Sequence, residues 1–92
     1  MVVVRRLIWE KTNTDHVARH HVTPQEVEQV CHGKYITFDV HHGRYMIVGS
    51  TLTKRILAII IDPEPKAGVY YPVTARTADK KEKQAYSTKW RL

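Results

Sequence analysis

The stretch from Ile56 to Ile61 constrains the fold more than any other, because every residue in it is apolar. A strand with one face toward water alternates polar and apolar residues, whereas a strand that is apolar on both faces must be covered on both sides. The sequence therefore predicts a central strand at 56–61 in a sheet that carries helices. This stretch is also the longest apolar run in the chain, and it is far too short to cross a bilayer.

Three further strands are predicted around the central one. Between residues 35 and 40 the pattern alternates, with Ile36 and Phe38 on one side and Thr37 and Asp39 on the other. The other strands are expected at 44–49 and 69–76, with turns at 41–43 and 51–54. Consecutive strands joined by short turns form a four-stranded antiparallel meander.

The last predicted strand runs directly into a helix. Pro72 interrupts the strand, and because proline lacks an N–H it indicates an edge position or a bulge. Thr77 is a suitable N-cap, and Asp79 in the first turn suits the helix dipole. Arg76 lies at the junction, where a long cation can be aimed at an anion.

Two more helices precede the meander. Thr23 and Glu26 form a capping box around Pro24, and these are two independent signals for a helix start. An earlier helix is expected from a cap at Thr12 or Thr14 to about His20, after a short additional N-terminal strand within residues 5–9. We therefore predict an α+β fold in a single domain covering residues 1–92.

The charge of the chain favours an anionic partner. Fifteen basic residues outnumber nine acidic ones, and residues 76–92 hold a surplus of four. A solvated helix face explains the same surplus without any ligand.

Cys31 is the only cysteine, so no internal disulfide is possible, and we find no signal peptide. The expectation is a cytoplasmic protein.

Glu82 falls within the stripe of the last helix that should face the sheet. Ala78, Glu82, Tyr86 and Trp90 recur every four residues. A carboxylate in such a stripe needs a partner, because burying it unpaired is costly. Arg76 or Arg44 can supply one, and the pair either fixes the helix against the sheet or orients a functional arginine.

In element order and motifs, the sequence resembles the BrnT ribonuclease toxins, which have the RelE/ParE-like toxin fold. The resemblance spans nearly the whole chain. Its most specific part is the closing motif, where Thr74-Ala75-Arg76, Ala78, Glu82-Lys83 and Tyr86 match the family's Ser-Ala-Arg and Glu-Arg-x-x-Tyr. The other matches are Ile8-Trp9-Glu10, Arg19-His20-His21-Val22, the helix from Thr23 to Val30, Arg44, Val48-Gly49 and Arg55-Ile56-Leu57.

The resemblance implies a toxin that cleaves RNA and is neutralised by a small DNA-binding antitoxin. Contact with DNA would then be only indirect, through the antitoxin. RNA supplies its own nucleophile, the 2′-hydroxyl, so the chemistry requires neither a metal nor another cofactor.

The catalytic residues predicted from this chemistry are two arginines, a histidine and a carboxylate. Arg76 would stabilise charge on the phosphate, assisted by Arg44 or Arg55, because arginine presents a planar fork of donors and keeps its charge. His20 is the candidate acid or base, with Glu82 as the alternative base. Predicted RNA-binding residues are Arg55, Lys54, Lys80, Lys81, Lys83 and Tyr71.

Two alternatives remain open. The chain departs from the family pattern at His21, Gly43 and Tyr71, which is compatible with a catalytically decayed toxin. A non-enzymatic module that binds nucleic acid or protein would use the same basic helix.

His16 and His20 have the spacing of a shared metal site, but no further ligand pattern completes it, and we predict no metal.

Overall fold

The computed structural model describes residues 2–91. The chain forms five strands and three helices. In chain order these are β1 (Arg6–Leu7), α1 (Lys11–Ala18), α2 (Pro24–Cys31), β2 (Tyr35–Asp39), β3 (Tyr45–Ser50), β4 (Ile56–Pro63), β5 (Val69–Thr77) and α3 (Lys80–Trp90), with one 3-10 turn at His41–Gly43.

The strands form one mixed sheet in the order β1-β5-β4-β3-β2. Strands β2 to β5 pair antiparallel in succession, whereas β1 lies parallel to β5, with Arg6 opposite Val69 and Leu7 opposite Tyr70. The α+β class, the additional N-terminal strand and the central position of β4 are confirmed. The sheet as a whole is mixed rather than purely antiparallel, because β1 runs in the same direction as β5.

The main core lies on the face of the sheet that α1 and α2 cover, which we call the first face. Alternate residues of β4 point into it, and Leu57, Ile59 and Ile61 are completely buried there with Val17 and Val27 of the helices. These contacts explain why an apolar run forms the middle of the sheet. Each side chain removed from water contributes roughly 1.5–3 kcal/mol to folding.

The second face carries a smaller core under α3. Val48 and Ala58 of the sheet pack there with Ala78 and Tyr86. Helix α3 contacts mainly β2 and β3. Part of the second face therefore has no helix above it among residues 2–91.

Pro72 is accommodated by a bulge. Ile60 pairs with Thr74 and Ile61 pairs with Pro72, so the register between β4 and β5 shifts by one residue at this point. The buried Asn13 side chain donates to the carbonyls of Ile8 and Pro72, at 2.9 and 3.0 Å. Of the two predicted alternatives, an edge position or a bulge, the structure shows the bulge. Asn13 satisfies backbone groups that the irregular strand leaves free.

The helix starts were predicted with mixed success. At α2 the Thr23 hydroxyl accepts the Glu26 N–H and the Glu26 carboxylate accepts the Thr23 N–H, as predicted. The N-cap of α1 is Glu10 rather than a threonine. At α3 the cap is Asp79, because Thr77 still belongs to β5 and pairs with Leu57.

Two further observations complete the description of the fold. His21, in the turn that follows α1, has a left-handed backbone conformation with φ of 59°. Within residues 2–91, none of the helices has the length and apolar character needed to span a membrane.

Candidate nucleic-acid interface

The uncovered part of the second face is the candidate functional surface, and we call it the open face. Strand alternation places Ile60 of β4, Met46 of β3 and Phe38 of β2 side by side on it. All three side chains are partly exposed, with Phe38 at 38%. The surface thus combines an apolar floor with the charged residues that border it.

Arg76 lies at the border of the open face nearest α3. It pairs with Ala58, so its side chain points to the second face, and Glu82 meets it from the first turns of α3. The guanidinium donates two hydrogen bonds to the carboxylate, from Nη1 to Oε1 at 2.7 Å and from Nη2 to Oε2 at 2.9 Å. The sequence prediction that Glu82 needs an arginine partner is confirmed, and the partner is Arg76.

The helix cap fixes the orientation of this pair. Glu82 accepts the Asp79 N–H at 2.8 Å, while Asp79 accepts the Glu82 N–H at 2.8 Å. Because the capping box turns Glu82 back toward the end of β5, its carboxylate is in place before Arg76 binds anything. Glu82 is only 12% exposed, whereas 46% of the Arg76 side chain remains exposed. Nη1 also donates to the Thr77 carbonyl at 3.3 Å, and the exposed part of the side chain leaves the remaining donors able to contact an anion.

The pairing also decides the protonation of Glu82. The hydrogen bonds from Arg76 lower the pKa of Glu82, and the same hydrogen bonds raise the pKa of Arg76. At neutral pH both groups are charged, so Glu82 orients Arg76 and is a poor proton acceptor. The role of orienting carboxylate therefore fits Glu82 better than the role of base.

This pairing predicts a pH-dependent contribution to stability. Because the pKa of Glu82 is lowered by folding, its contribution is complete above the ordinary value of 4.5 and is lost as the pH falls through the lowered pKa. We expect wild type to exceed Glu82→Gln in free energy of unfolding near neutral pH. The difference should shrink progressively as the pH falls below 4.5 in urea denaturation at a series of pH values. A difference that stays constant over this range would contradict the pairing.

Arg44 lies on the same face as Arg76, at the opposite border. It is paired across β3 and β4 with Asp62, whose Oδ2 is 3.7 Å from the Arg44 Nε. That nitrogen is buried and makes no hydrogen bond within residues 2–91. With strands about 4.8 Å apart and a rise of about 3.3 Å per residue, the Cα atoms of Arg44 and Arg76 lie roughly 16 Å apart. Two cations at this separation can contact different phosphates of one strand.

His20 lies at the same end of the sheet as Arg76 but on the first face. Its ring stacks on His16, with the ring centroids 6.4 Å apart. Its carbonyl accepts from Arg55, which also donates to Thr77, the residue after Arg76. The structure therefore brings Arg76 and Glu82 together, whereas no hydrogen bond in the described part of the chain joins the His20 ring to either of them.

Arg55 is occupied by structural contacts. Its guanidinium donates to the carbonyls of His21 and His20, at 2.6 and 3.3 Å, to Thr77 Oγ1 at 3.1 Å and to the Glu26 carboxylate at 3.3 Å. These bonds tie the turn between α1 and α2 to the end of β5. The arrangement leaves Arg55 few donors for RNA, so its first role is to hold the two segments together.

We therefore expect Arg55→Ala to destabilise the protein. Removing hydrogen bonds made by a charged group costs about 1.5–3 kcal/mol in free energy of unfolding. Lys66→Ala is the matched control, since Lys66 is exposed and should change stability by less than about 0.5 kcal/mol. Urea denaturation followed by circular dichroism measures both, and equal effects would contradict the structural role of Arg55.

The other predicted RNA-binding residues lie in two places, the lysines near Arg76 and Tyr71 beside Asp62. Lys80, Lys81 and Lys83 are exposed at the start of α3, and Lys54 is exposed in the turn before β4, at the same end of the sheet. Tyr71 pairs with Asp62 and is half-buried; this burial raises its pKa, and the nearby Glu10 adds to the effect. The lysines thus extend the basic surface around Arg76.

The sequence did not reveal two parts of this site. The predicted central strand ends at Ile61, whereas β4 extends to Pro63 and places Asp62 opposite Arg44. The open face itself was also missed. One signal for the Arg44–Asp62 pair was present in the sequence. A charged residue at a predicted strand start, such as Arg44, is often opposite a residue of the other charge on the next strand.

Within residues 2–91, no three or more histidine, cysteine, aspartate and glutamate side chains are grouped so that they could hold a metal ion. Comparison of the sequence with models of known protein families and with curated proteins finds no match to either.

Proposed function

We propose that the protein is an endoribonuclease that binds RNA across the open face and cleaves it by attack of the 2′-hydroxyl on the adjacent phosphate. The observation that carries the proposal is Arg76, whose guanidinium is held by two hydrogen bonds to Glu82 while its side chain remains 46% exposed. An arginine oriented in this way presents its remaining donors to a phosphate without further reorganisation.

In the proposed reaction the 2′-oxygen bonds to phosphorus and the bond to the 5′-oxygen of the next nucleotide breaks. The products are a 2′,3′-cyclic phosphate and a free 5′-hydroxyl. Negative charge grows on the phosphate oxygens in the transition state, and Arg76 would stabilise it with donors that are already in place. Arg44, whose side chain is 37% exposed, would attract a neighbouring phosphate with its positive charge.

Two proton transfers complete this scheme. A base takes the proton of the 2′-hydroxyl, and an acid returns one to the departing 5′-oxygen. We assign one of these two roles, the base or the acid, to His20, and water carries the other proton. Support comes from Arg55, which bridges the His20 carbonyl and Thr77 and so keeps His20 beside the end of β5 that carries Arg76. RNA bound around this end of the sheet would reach both residues.

We further propose that the protein is the toxin of a type II toxin–antitoxin pair, with a small DNA-binding antitoxin as its partner. The support is the resemblance to the BrnT toxins in the closing motif, which contains both Arg76 and Glu82. A short neighbouring reading frame that encodes a DNA-binding protein is the genomic observation that tests this assignment.

The second candidate function is RNA or protein binding without cleavage, as in a non-enzymatic module or a decayed toxin. The observation in its favour is the separation of the His20 ring from the Arg76–Glu82 pair, together with the lowered pKa of Glu82. This candidate predicts RNA binding at the open face and no cyclic phosphate.

The deciding experiment is incubation of end-labelled RNA with purified protein in the presence of a chelator. We expect cleavage that leaves 2′,3′-cyclic phosphate ends, identified by mass spectrometry. His20→Ala should lower the rate by about 10²–10⁴-fold, the range of acid–base catalysis, because the proton carrier is lost. His16→Ala, which removes the neighbouring ring, is the matched control and should have little effect.

Equal rates for the two histidine variants would remove His20 from the mechanism. Binding without any cleavage by wild type would favour the second candidate.

A further inference from the structure

A groove of about 670 Å³ follows the outer edge of the sheet at β2. Its floor is the edge strand itself. One wall is the N-terminal segment with Val2 and Val3, and the other is the end of α3 with Lys89 and Trp90. Val3 is 53% exposed although it is apolar. The groove is open along β2, which is one of the two edge strands of the sheet within residues 2–91 and the longer of them.

The backbone of β2 presents hydrogen-bonding groups to this groove. The Val40 N–H donates to the Arg44 carbonyl of the neighbouring strand. Because hydrogen-bonded pairs recur at every second residue of an antiparallel strand, the backbone N–H and C=O groups of Ile36 and Phe38 also point toward β3. The alternate residues Thr37 and Asp39 direct theirs outward. Tyr35 follows this pattern, because its carbonyl accepts a hydrogen bond from Trp90 Nε1 at 3.3 Å on the outer side. The free edge therefore begins at Thr37.

The charges around the groove are basic. The Lys34 ammonium lies 5.4 Å from the centre of the Trp90 ring, and Lys89 lines the groove on the same side. A second copy of this chain would bring these lysines toward their own counterparts, and each copy carries a net charge of +6. An acidic partner avoids this repulsion and gains attraction.

From these observations we propose that the β2 edge is a docking site for an extended acidic segment of a partner protein, which adds to the sheet as a sixth strand. The backbone of the segment pairs with Thr37 and Asp39, its apolar side chains fill the groove between Val3 and Trp90, and its acidic side chains contact Lys34 and Lys89. Affinity in this mode comes from main-chain hydrogen bonds, and specificity comes from alternate side chains. The inference is independent of the RNA chemistry proposed above.

The test is a selection from random displayed peptides of about ten residues, the upper length of common strands, on the intact protein. We expect the enriched peptides to alternate apolar and acidic residues. The strongest is then synthesised and titrated by fluorescence anisotropy. Lys34→Glu/Lys89→Glu should weaken it at least about tenfold, because attraction becomes repulsion. Lys11→Glu/Lys66→Glu, with the same change in net charge elsewhere, is the matched control and should change binding far less.

Amide exchange measured by NMR distinguishes strand addition from simple charge attraction. The Thr37 and Asp39 amides should exchange fast in the free protein and slowly with the peptide, whereas the Ile36 and Phe38 amides should be slow in both. Three results would overturn the proposal. The enriched peptides could lack acidic residues, the two charge-reversed variants could weaken peptide binding equally, or the peptide could bind without slowing amide exchange at Thr37 and Asp39. Protection of these amides in the free protein, together with a dimer in sedimentation, would assign the edge to a second copy instead.

Discussion

Arg76→Ala should lower the rate of RNA cleavage by about 10²–10³-fold, the loss found when one preorganised donor to a transition-state oxyanion is removed. The reason is the position of the guanidinium, which Glu82 fixes while 46% of the Arg76 side chain stays exposed. The measurement is single-turnover cleavage of labelled RNA at saturating enzyme. Under these conditions a change in the chemical step is separated from a change in RNA affinity.

Controls must separate the role of Arg76 from general charge and from stability. Lys83→Ala removes an exposed cation from the same end of α3. It should lower the affinity for RNA and the salt dependence of that affinity, with little effect on the cleavage rate at saturating enzyme. Arg76→Lys keeps the charge but loses the planar fork, so it should restore only part of the rate. Because Arg76→Ala leaves the carboxylate of Glu82 unpaired, Arg76→Ala/Glu82→Gln serves as the stability control. Undiminished cleavage by a folded Arg76→Ala protein would remove Arg76 from the mechanism.

Ile59→Ala should have the largest effect on stability, lowering the free energy of unfolding by about 2–5 kcal/mol. Ile59 is completely buried in the central strand, between the sheet neighbours Ile47 and Ala75 and beneath the helices of the first face. Truncation there leaves a cavity that rigid strands on both sides prevent from closing. Since small domains have only about 5–15 kcal/mol of stability in total, the variant should unfold at a much lower urea concentration.

Ile60→Ala is the matched control for this prediction. It removes the same atoms from the next residue of the same strand, but Ile60 points to the open face and is only partly buried. We expect it to cost well under half as much as Ile59→Ala, because less apolar area is removed from contact with protein and no closed cavity forms. Equal losses in urea denaturation would mean that a partner or a further element covers the open face.

Much of the fold follows from local patterns in the sequence. The apolar run predicts the central strand, the Thr23–Glu26 box predicts the start of α2, and Pro72 predicts an irregularity in β5. Each of these signals depends on residues close together in the chain. The pairing of Glu82 with Arg76 was also predictable, since the helical stripe and the strand end are only six residues apart.

The remaining features depend on residues that are distant in the chain. Thr77 resembles a helix cap locally, yet its pairing with Leu57 and its contact with Arg55 keep it in β5. The position of His20 depends on which face of the sheet α1 covers, and no local pattern specifies that choice. The open face was unpredictable for the same reason, because its extent depends on how far α3 reaches across the sheet.

The parallel pairing of β1 with β5 has a consequence for biosynthesis. Residues near the start of the chain find their strand partner, Val69 and Tyr70, only near its end. Helices α1 and α2 likewise bury their apolar sides against strands made after them. The nascent chain therefore cannot complete its core on the ribosome until β5 has emerged, and we expect slow, late folding that is governed by contacts distant in sequence.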